Sequence, residues 1–230
     1  MNSGYATLFV FATLMEAEPF LARLPVTELT RHPAALYAAA QHEHPRFLVL
    51  ICGMGPVAAA ASVAAVIARY RPRCILNCGV AGSLSDALAI GEILQVSAVA
   101  DTSGSEVTVD PEALEYLTAP GDLTLPLPSR VGEARLLSQA VPVFDPARRD
   151  ALSLVGDLID MEGAAIALVC RRHALRCGLI KVVSDHANDR ATLLANLAHT
   201  SRRLGDFVTY YLDPLLQLEN AHDSQRSRTA

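Results

Sequence analysis

No basic block runs through this sequence. The 230 residues carry a formal net charge of -5. The thin arginine cluster of Arg202, Arg203, Arg226 and Arg228 cannot track a phosphate backbone, so nucleic acid is not an expected partner. A bilayer-length apolar run is also missing. The longest, "VAAAASVAAVIA", has about a dozen residues and is too short to span. The opening "MNSGYATLFVFATLMEAE" lacks a basic segment and is interrupted by acids, so no secretory signal is expected. Neither a Walker-type phosphate loop nor a G-x-S-x-G nucleophile turn is present. The five cysteines, Cys52, Cys74, Cys78, Cys170 and Cys177, are odd in number and irregularly spaced. They read as reduced core residues of a cytoplasmic protein, not as a disulfide framework. Cys74 and Cys78 have no second ligand pair, so no metal is expected.

The chain does have ample core. With 51% hydrophobic residues, it reads as a single domain over residues 1–218 and a polar tail, 219–230, expected to be disordered. Apolar strands alternate with helices. "YATLFVFAT", "RFLVLICG", "CILNCGVAG", "GEILQVSAVA" and "GLIKVVSD" read as strands, with weaker ones in "ALYAAAQH", "RVGEARLLSQA" and "LID". "MEAEPFLARL" reads as a short helix or turn with Pro19 near its start. Pro56 opens a helix after "GMG", a favoured first-turn position. Asp110-Pro111 and Asp145-Pro146 start two more, the second closed by Gly156. "EGAAIALVCRRHAL" and one long C-terminal helix complete the pattern. The segment from Asp101 to Arg130 looks like an excursion. This rhythm predicts an α/β fold with a largely parallel sheet and helices on both faces.

Ligands in such folds bind outside the carboxyl ends of the strands. Four predicted strand ends carry polar or glycine-rich stretches: "TLMEAE", "NCGVAGS", "DMEG" and "SDHAND". In a parallel sheet they face one cleft. The candidate acids are Glu18 (or Glu16), Asp160, Glu162 and Asp185. Any one alone could merely cap a helix. Together in an apolar cleft they suit proton transfer. "GMGPVA", Gly53 to Ala58, approximates a dinucleotide fingerprint. No acid ends the following strand, which favours a tight packing turn.

These motifs, in this order, make the chain resemble the nucleoside phosphorylase and nucleosidase superfamily, in its methylthioadenosine/S-adenosylhomocysteine nucleosidase branch. "MEAE", "GMGPVAAA", "NCGVAGSL", "IGEI", "DMEGAAIA" and "VVSDHAND" carry the resemblance. It implies a three-layer α/β/α fold with a mixed, largely parallel central sheet, and cleavage of an N-glycosidic bond without a cofactor. By the same resemblance, Asp185 protonates the leaving purine and Ser184 orients it. Glu162 binds the ribose hydroxyls, Met161 packs under the sugar, and Glu18 holds the attacking water. Gly79 and Val80 form the turn at the nucleophile, where the branch has serine at the position of Val80. Lys181 stands where the branch has arginine. Val141, Val143 and Phe144 are candidates for stacking on the base.

"LNCGVAG" lacks the arginine that phosphorylases of this superfamily place there, and an acid near the nucleophile repels phosphate. Both features favour water as the acceptor. The expected activity is hydrolysis of a purine nucleoside, a 5'-modified adenosine or related compound, by a homodimer. The alternatives are a phosphorylase of the same fold, a branch acting on futalosine or an adenosylated hopanoid, and a non-catalytic nucleoside binder.

Overall fold

The computed structural model describes residues 5–39, 47–103, 116–118 and 125–217. The expected helix start at Asp110 and the polar tail lie outside the described residues. The element order is β1 (Thr7–Phe11), α1 (Leu14–Leu21), β2 (Val26–Thr30), β3 (Ala35–Ala39), β4 (Phe47–Ile51), α2 (Pro56–Tyr70), β5 (Cys74–Ser83), β6 (Ile93–Asp101) and β7 (Leu117–Thr118). It continues with β8 (Gly132–Ser138), α3 (Pro146–Ser153), β9 (Leu158–Asp160), α4 (Gly163–Arg172), β10 (Arg176–Asp185), α5 (Arg190–Tyr210) and α6 (Leu212–Leu216).

The strands form one mixed sheet. β1 lies between β4 and β5, parallel to both, and β5 is also parallel to β10. β6 pairs antiparallel with β10 and parallel with β8. The period-2 alternation of β1 divides the core. Leu8 and Val10 join Val63 and Ile67 of α2 and Ile166 of α4 on one face. Phe9 and Phe11 join Phe20 of α1 and Leu204 and Val208 of α5 on the other. A strand buried on both sides needs a continuous apolar run, and β1 is buried throughout. The result is the expected three-layer α/β/α architecture. All five cysteines are buried and free of disulfides.

Several local expectations differ from the structure. β2 is largely exposed and, among the described residues, pairs only with β3, so it carries little hydrophobic signal. Pro19 lies inside α1, not near its start. The long C-terminal helix stops at Tyr210, and Pro214 falls within the separate short α6. α3 ends at Ser153, three residues before Gly156. The strands that end at the cleft are not all parallel, because β9 runs antiparallel to β5, with Ile159 opposite Gly82. β9 thus reaches the cleft from the opposite direction, while remaining parallel to β8.

Candidate active site

A cavity of about 530 Å³ opens at the carboxyl ends of β1, β5 and β10, with the β9–α4 turn as one wall. That size suits a small-molecule ligand. Its lining includes Glu16, Val80, Val143, Phe144, Met161, Glu162, Ser184 and Asp185.

Asp185 ends β10 just after a register shift, which sets it opposite Gly82. Such an irregularity re-aims a side chain. Ser184 Oγ hydrogen-bonds Asp185 Oδ2 at 2.7 Å, and the Ala187 N–H donates to Oδ1 at 2.7 Å. The carboxyl group is therefore held in one orientation against the cleft wall. A Cβ on Gly82 would come within 3.1 Å of Asp185 Oδ1 and 3.2 Å of the Ala187 Cβ, so the glycine leaves room for this arrangement.

Glu162 precedes the first residue of α4. Its Oε1 accepts a 2.6 Å hydrogen bond from the Gly55 N–H. Gly55 has φ of +88°, a left-handed conformation that favours glycine. The N–H that a dinucleotide phosphate would need is thus already given to a carboxylate. Burial, reinforced by the charge of Asp160, raises the Glu162 pKa to about 7.

Asp160 also borders the cavity, but its oxygens are taken by the protein. Oδ2 lies 2.8 Å from Lys181 Nζ. Oδ1 accepts from the Ser138 hydroxyl and from the Glu162 and Gly163 N–H groups. Asp160 thereby satisfies the otherwise open N-terminus of α4. Lys181 is 2% exposed and lies beneath the cavity instead of lining it. Burial alone would depress its ammonium. The Asp160 charge and hydrogen bond, with Glu162 and Glu16 nearby, outweigh burial and raise it.

The acid of α1 that enters the cavity is Glu16, and the exposed Glu18 does not. Glu16 is the third helical residue and forms a capping box with Thr13. Its Oε2 accepts from the Thr13 N–H at 2.8 Å and the Thr13 hydroxyl at 2.9 Å. Its Oε1 accepts from the Val80 N–H at 3.0 Å. Two residues further along a helix is a rotation of about 200°, which turns Glu18 away. Gly79 lies behind this contact. A Cβ there would sit 3.0 Å from Glu16 Oε1 and 3.6 Å from Lys181 Nζ.

Val143 and Phe144 line the cavity, while Val141 is exposed outside it. Sequence reasoning missed Thr13, Met54 and the α5 contribution of Arg190, Leu193, Leu194 and Leu197. The α5 signal was available as an i, i+3, i+4, i+7 pattern. Among the described residues, no group of His, Cys, Asp and Glu could hold a metal ion, and no helix is long and apolar enough to cross a membrane.

A three-layer α/β/α protein with a carboxylate-lined cleft at its strand ends is the class that fold and site define. Residues 8–213 match the model of the phosphorylase superfamily, and the chain belongs to that family. It is 28% identical over 170 residues to the 5'-methylthioadenosine/S-adenosylhomocysteine nucleosidase of Shewanella loihica, covering 66% of this chain and 74% of that protein. The Shewanella oneidensis protein of the same name is 27% identical over 155 residues, covering 60% of this chain and 65% of that one, just under two thirds of its length. Among solved structures, the fold is similar to native futalosine hydrolase of Helicobacter pylori, with a TM-score of 0.81 at 19% identity, covering 94% of this chain and 100% of that one. It is also similar to the apo 5'-methylthioadenosine nucleosidase of Arabidopsis thaliana, with a TM-score of 0.77 at 22% identity, covering 91% and 95%.

Proposed function

We propose that this protein hydrolyses the N-glycosidic bond of a purine nucleoside, a 5'-modified adenosine or close relative. The observation that carries the reading is the placement of three carboxyl groups, Asp185, Glu162 and Glu16, around one nucleoside-sized cavity. Each has a distinct surrounding and suits a distinct task.

Departure of the base leaves an oxocarbenium-like sugar. Asp185, oriented by Ser184, delivers a proton to the leaving purine. A positioned acid contributes about 10²–10⁴-fold. Glu162 accepts hydrogen bonds from the ribose hydroxyls, with Met161 against the sugar. Glu16 replaces Glu18 as the residue that holds the nucleophile. Three donors occupy its carboxylate, which has about four acceptor sites, leaving one for a water.

Water is favoured over phosphate by what surrounds that position. The Val80 N–H is already donated to Glu16, and the Lys181 charge is countered by Asp160. A phosphate would meet a carboxylate where it needs a cation or open N–H groups. The reading extends to one domain over residues 1–218, working as a cytoplasmic homodimer with no cofactor and no nucleic-acid or membrane partner.

The test is release of base from methylthioadenosine, S-adenosylhomocysteine, futalosine and inosine, with and without phosphate. The expected product is free sugar, independent of phosphate, from at least one of them. Sugar 1-phosphate formed only when phosphate is supplied would establish the phosphorylase instead. Asp185→Asn is expected to lower kcat by about 10²–10⁴-fold. Undiminished release would remove Asp185 as the acid. Tight binding without release by the wild type would make the protein a binder.

A further inference from the structure

The carboxylate at the head of α4 does not cap its own helix. Glu162 holds the N-cap position but makes no side-chain cap bond. Glutamate is not among the residues that favour this position, which are Ser, Thr, Asp and Asn. Side chains of that kind do cap α4, but they reach it from outside. Asp160, two residues earlier, accepts from the Glu162 N–H at 3.3 Å and from the Gly163 N–H at 3.0 Å. Ser138, the last residue of β8, accepts from the Ala164 N–H at 2.9 Å. The Ser138 hydroxyl in turn donates to Asp160 Oδ1, so the two side chains form one cap.

The surroundings fix Ser138 in this place. β8 and β9 run parallel, with Ser138 opposite Asp160. The Thr102 N–H and hydroxyl both donate to the Ser138 carbonyl, at 2.8 and 3.2 Å. Gly163 keeps the space between helix and strand clear, since a Cβ there would lie 2.5 Å from the Leu136 side chain and 3.0 Å from Asp160 Oδ2. Ser138 is buried and lies outside the cavity lining, whereas Glu162 is part of it.

An N-cap side chain ordinarily accepts from the N–H two or three residues on. Here the first of those donors, the Ala164 N–H, is already taken by Ser138. The Glu162 carboxylate is therefore not drawn back onto its own helix. It meets the Gly55 N–H instead and borders the cavity.

We propose that Ser138 is a positioning residue for ribose recognition: by capping α4 in place of Glu162, it keeps the Glu162 carboxylate turned to the sugar. This rests on the nucleosidase reading above and deepens it, because Glu162 is the sugar-binding acid of that reading. Without the Ser138 hydroxyl, the Ala164 N–H is left buried and unpaired beside an N-cap carboxylate. An unpaired buried donor is costly, so Glu162 swings onto it and away from the ribose.

The test compares 5'-methylthioadenosine with its 2'-deoxy and 3'-deoxy analogues, in binding by titration calorimetry and in turnover by adenine release. The wild type is expected to favour the full ribose over at least one analogue by about 10–100-fold, the scale of a hydrogen bond to a charged group. Ser138→Ala should lower that preference by about fivefold or more, the scale of one weakened hydrogen bond. The intrinsic lability of a deoxynucleoside bond cancels between the two proteins. Ser138→Cys, with its weaker donor and acceptor, should fall in between, and it supplies the comparison if Ser138→Ala does not fold. In a Glu162→Gln background the Ser138 substitution should leave the preference unchanged, since the two residues act through one carboxylate. A loss that is equal for ribose and deoxyribose probes marks a structural role only and overturns the proposal. So does a wild type that does not discriminate among the probes or binds none of them. If adenine release continues in those cases, the nucleosidase reading stands without the positioning role. A binding preference that falls in Ser138→Ala, with no base released from any nucleoside, sinks the nucleosidase reading and leaves the positioning role intact.

Discussion

Two turns of this molecule each carry two acids, two residues apart, and they resolve the pair in opposite ways. In α1 the pair is Glu16 and Glu18. A helical backbone rotates by about 200° over two residues, so one acid enters the cleft and the other meets water. At the β9–α4 turn the pair is Asp160 and Glu162, and both are buried. There the separation is electrostatic. Asp160 is neutralised by Lys181 and by backbone N–H groups. Glu162 has one N–H donor, from Gly55, and its pKa rises to about 7. The same spacing thus sorts acids by direction in a helix and by partner at a strand-to-helix turn.

The sharpest way to break the comparison is to neutralise each acid of α1 in turn. Glu16→Gln is expected to lower kcat by about 10²–10⁴-fold, as for a residue that positions or activates the nucleophile. Glu18→Gln should leave steady-state kinetics of base release near wild type. If Glu18→Gln causes the larger loss, the assignment of the cleft-facing acid is reversed.

At the second turn, Lys181→Met leaves Asp160 buried without its cation. Breaking a buried pair in this way typically costs about 3–5 kcal/mol. Denaturant unfolding of the variant should show that loss. A loss under about 1 kcal/mol, the range of exposed pairs, would mean that the backbone donors alone sustain Asp160.

Glu162→Gln should act in the other direction and with a defined pH dependence. The folded-state pKa is raised from 4.5 to about 7, so the folded protein holds this proton more tightly than the unfolded chain. That contribution to stability is fully present below about pH 4.5 and is lost as pH rises through about 7. At pH 8 the charged carboxylate costs the wild type up to about 3 kcal/mol, a cost the amide avoids. Glu162→Gln should therefore have the higher Tm at pH 8, with the difference fading toward pH 4.5, while base release falls. A variant less stable than wild type at pH 8 would contradict the burial account of Glu162.

Much of the fold was legible because its strongest signals are local. The run "TLFVF" is apolar at every position, which a central strand buried on both faces requires. Pro56 and the Asp145-Pro146 pair announce helix starts through backbone chemistry alone. The exposed edge strand β2 has no such pattern and escaped notice. Part of the missed site was also written locally. Thr13-Leu14-Met15-Glu16 is a T-x-x-E capping box, which points to Glu16 as the acid turned back toward the strand end. Matching the letters of "MEAE" overlooked that register.

By itself, then, the sequence determined the layered α/β fold, the family it resembles, and the set of acids from which a site could be drawn. These follow from hydrophobic period, turn residues and motif order, which all act over short stretches of chain. Tertiary structure alone decided which acids share one cavity and which of them is paired with a buried cation. Glu16 meets Val80 across 64 residues of chain and Glu162 meets Gly55 across 107. The Lys181–Asp160 pair joins β10 to the end of β9 beneath the cavity. A carboxylate's role depends on burial and on which donors reach it, and those donors come from strands and turns distant in sequence.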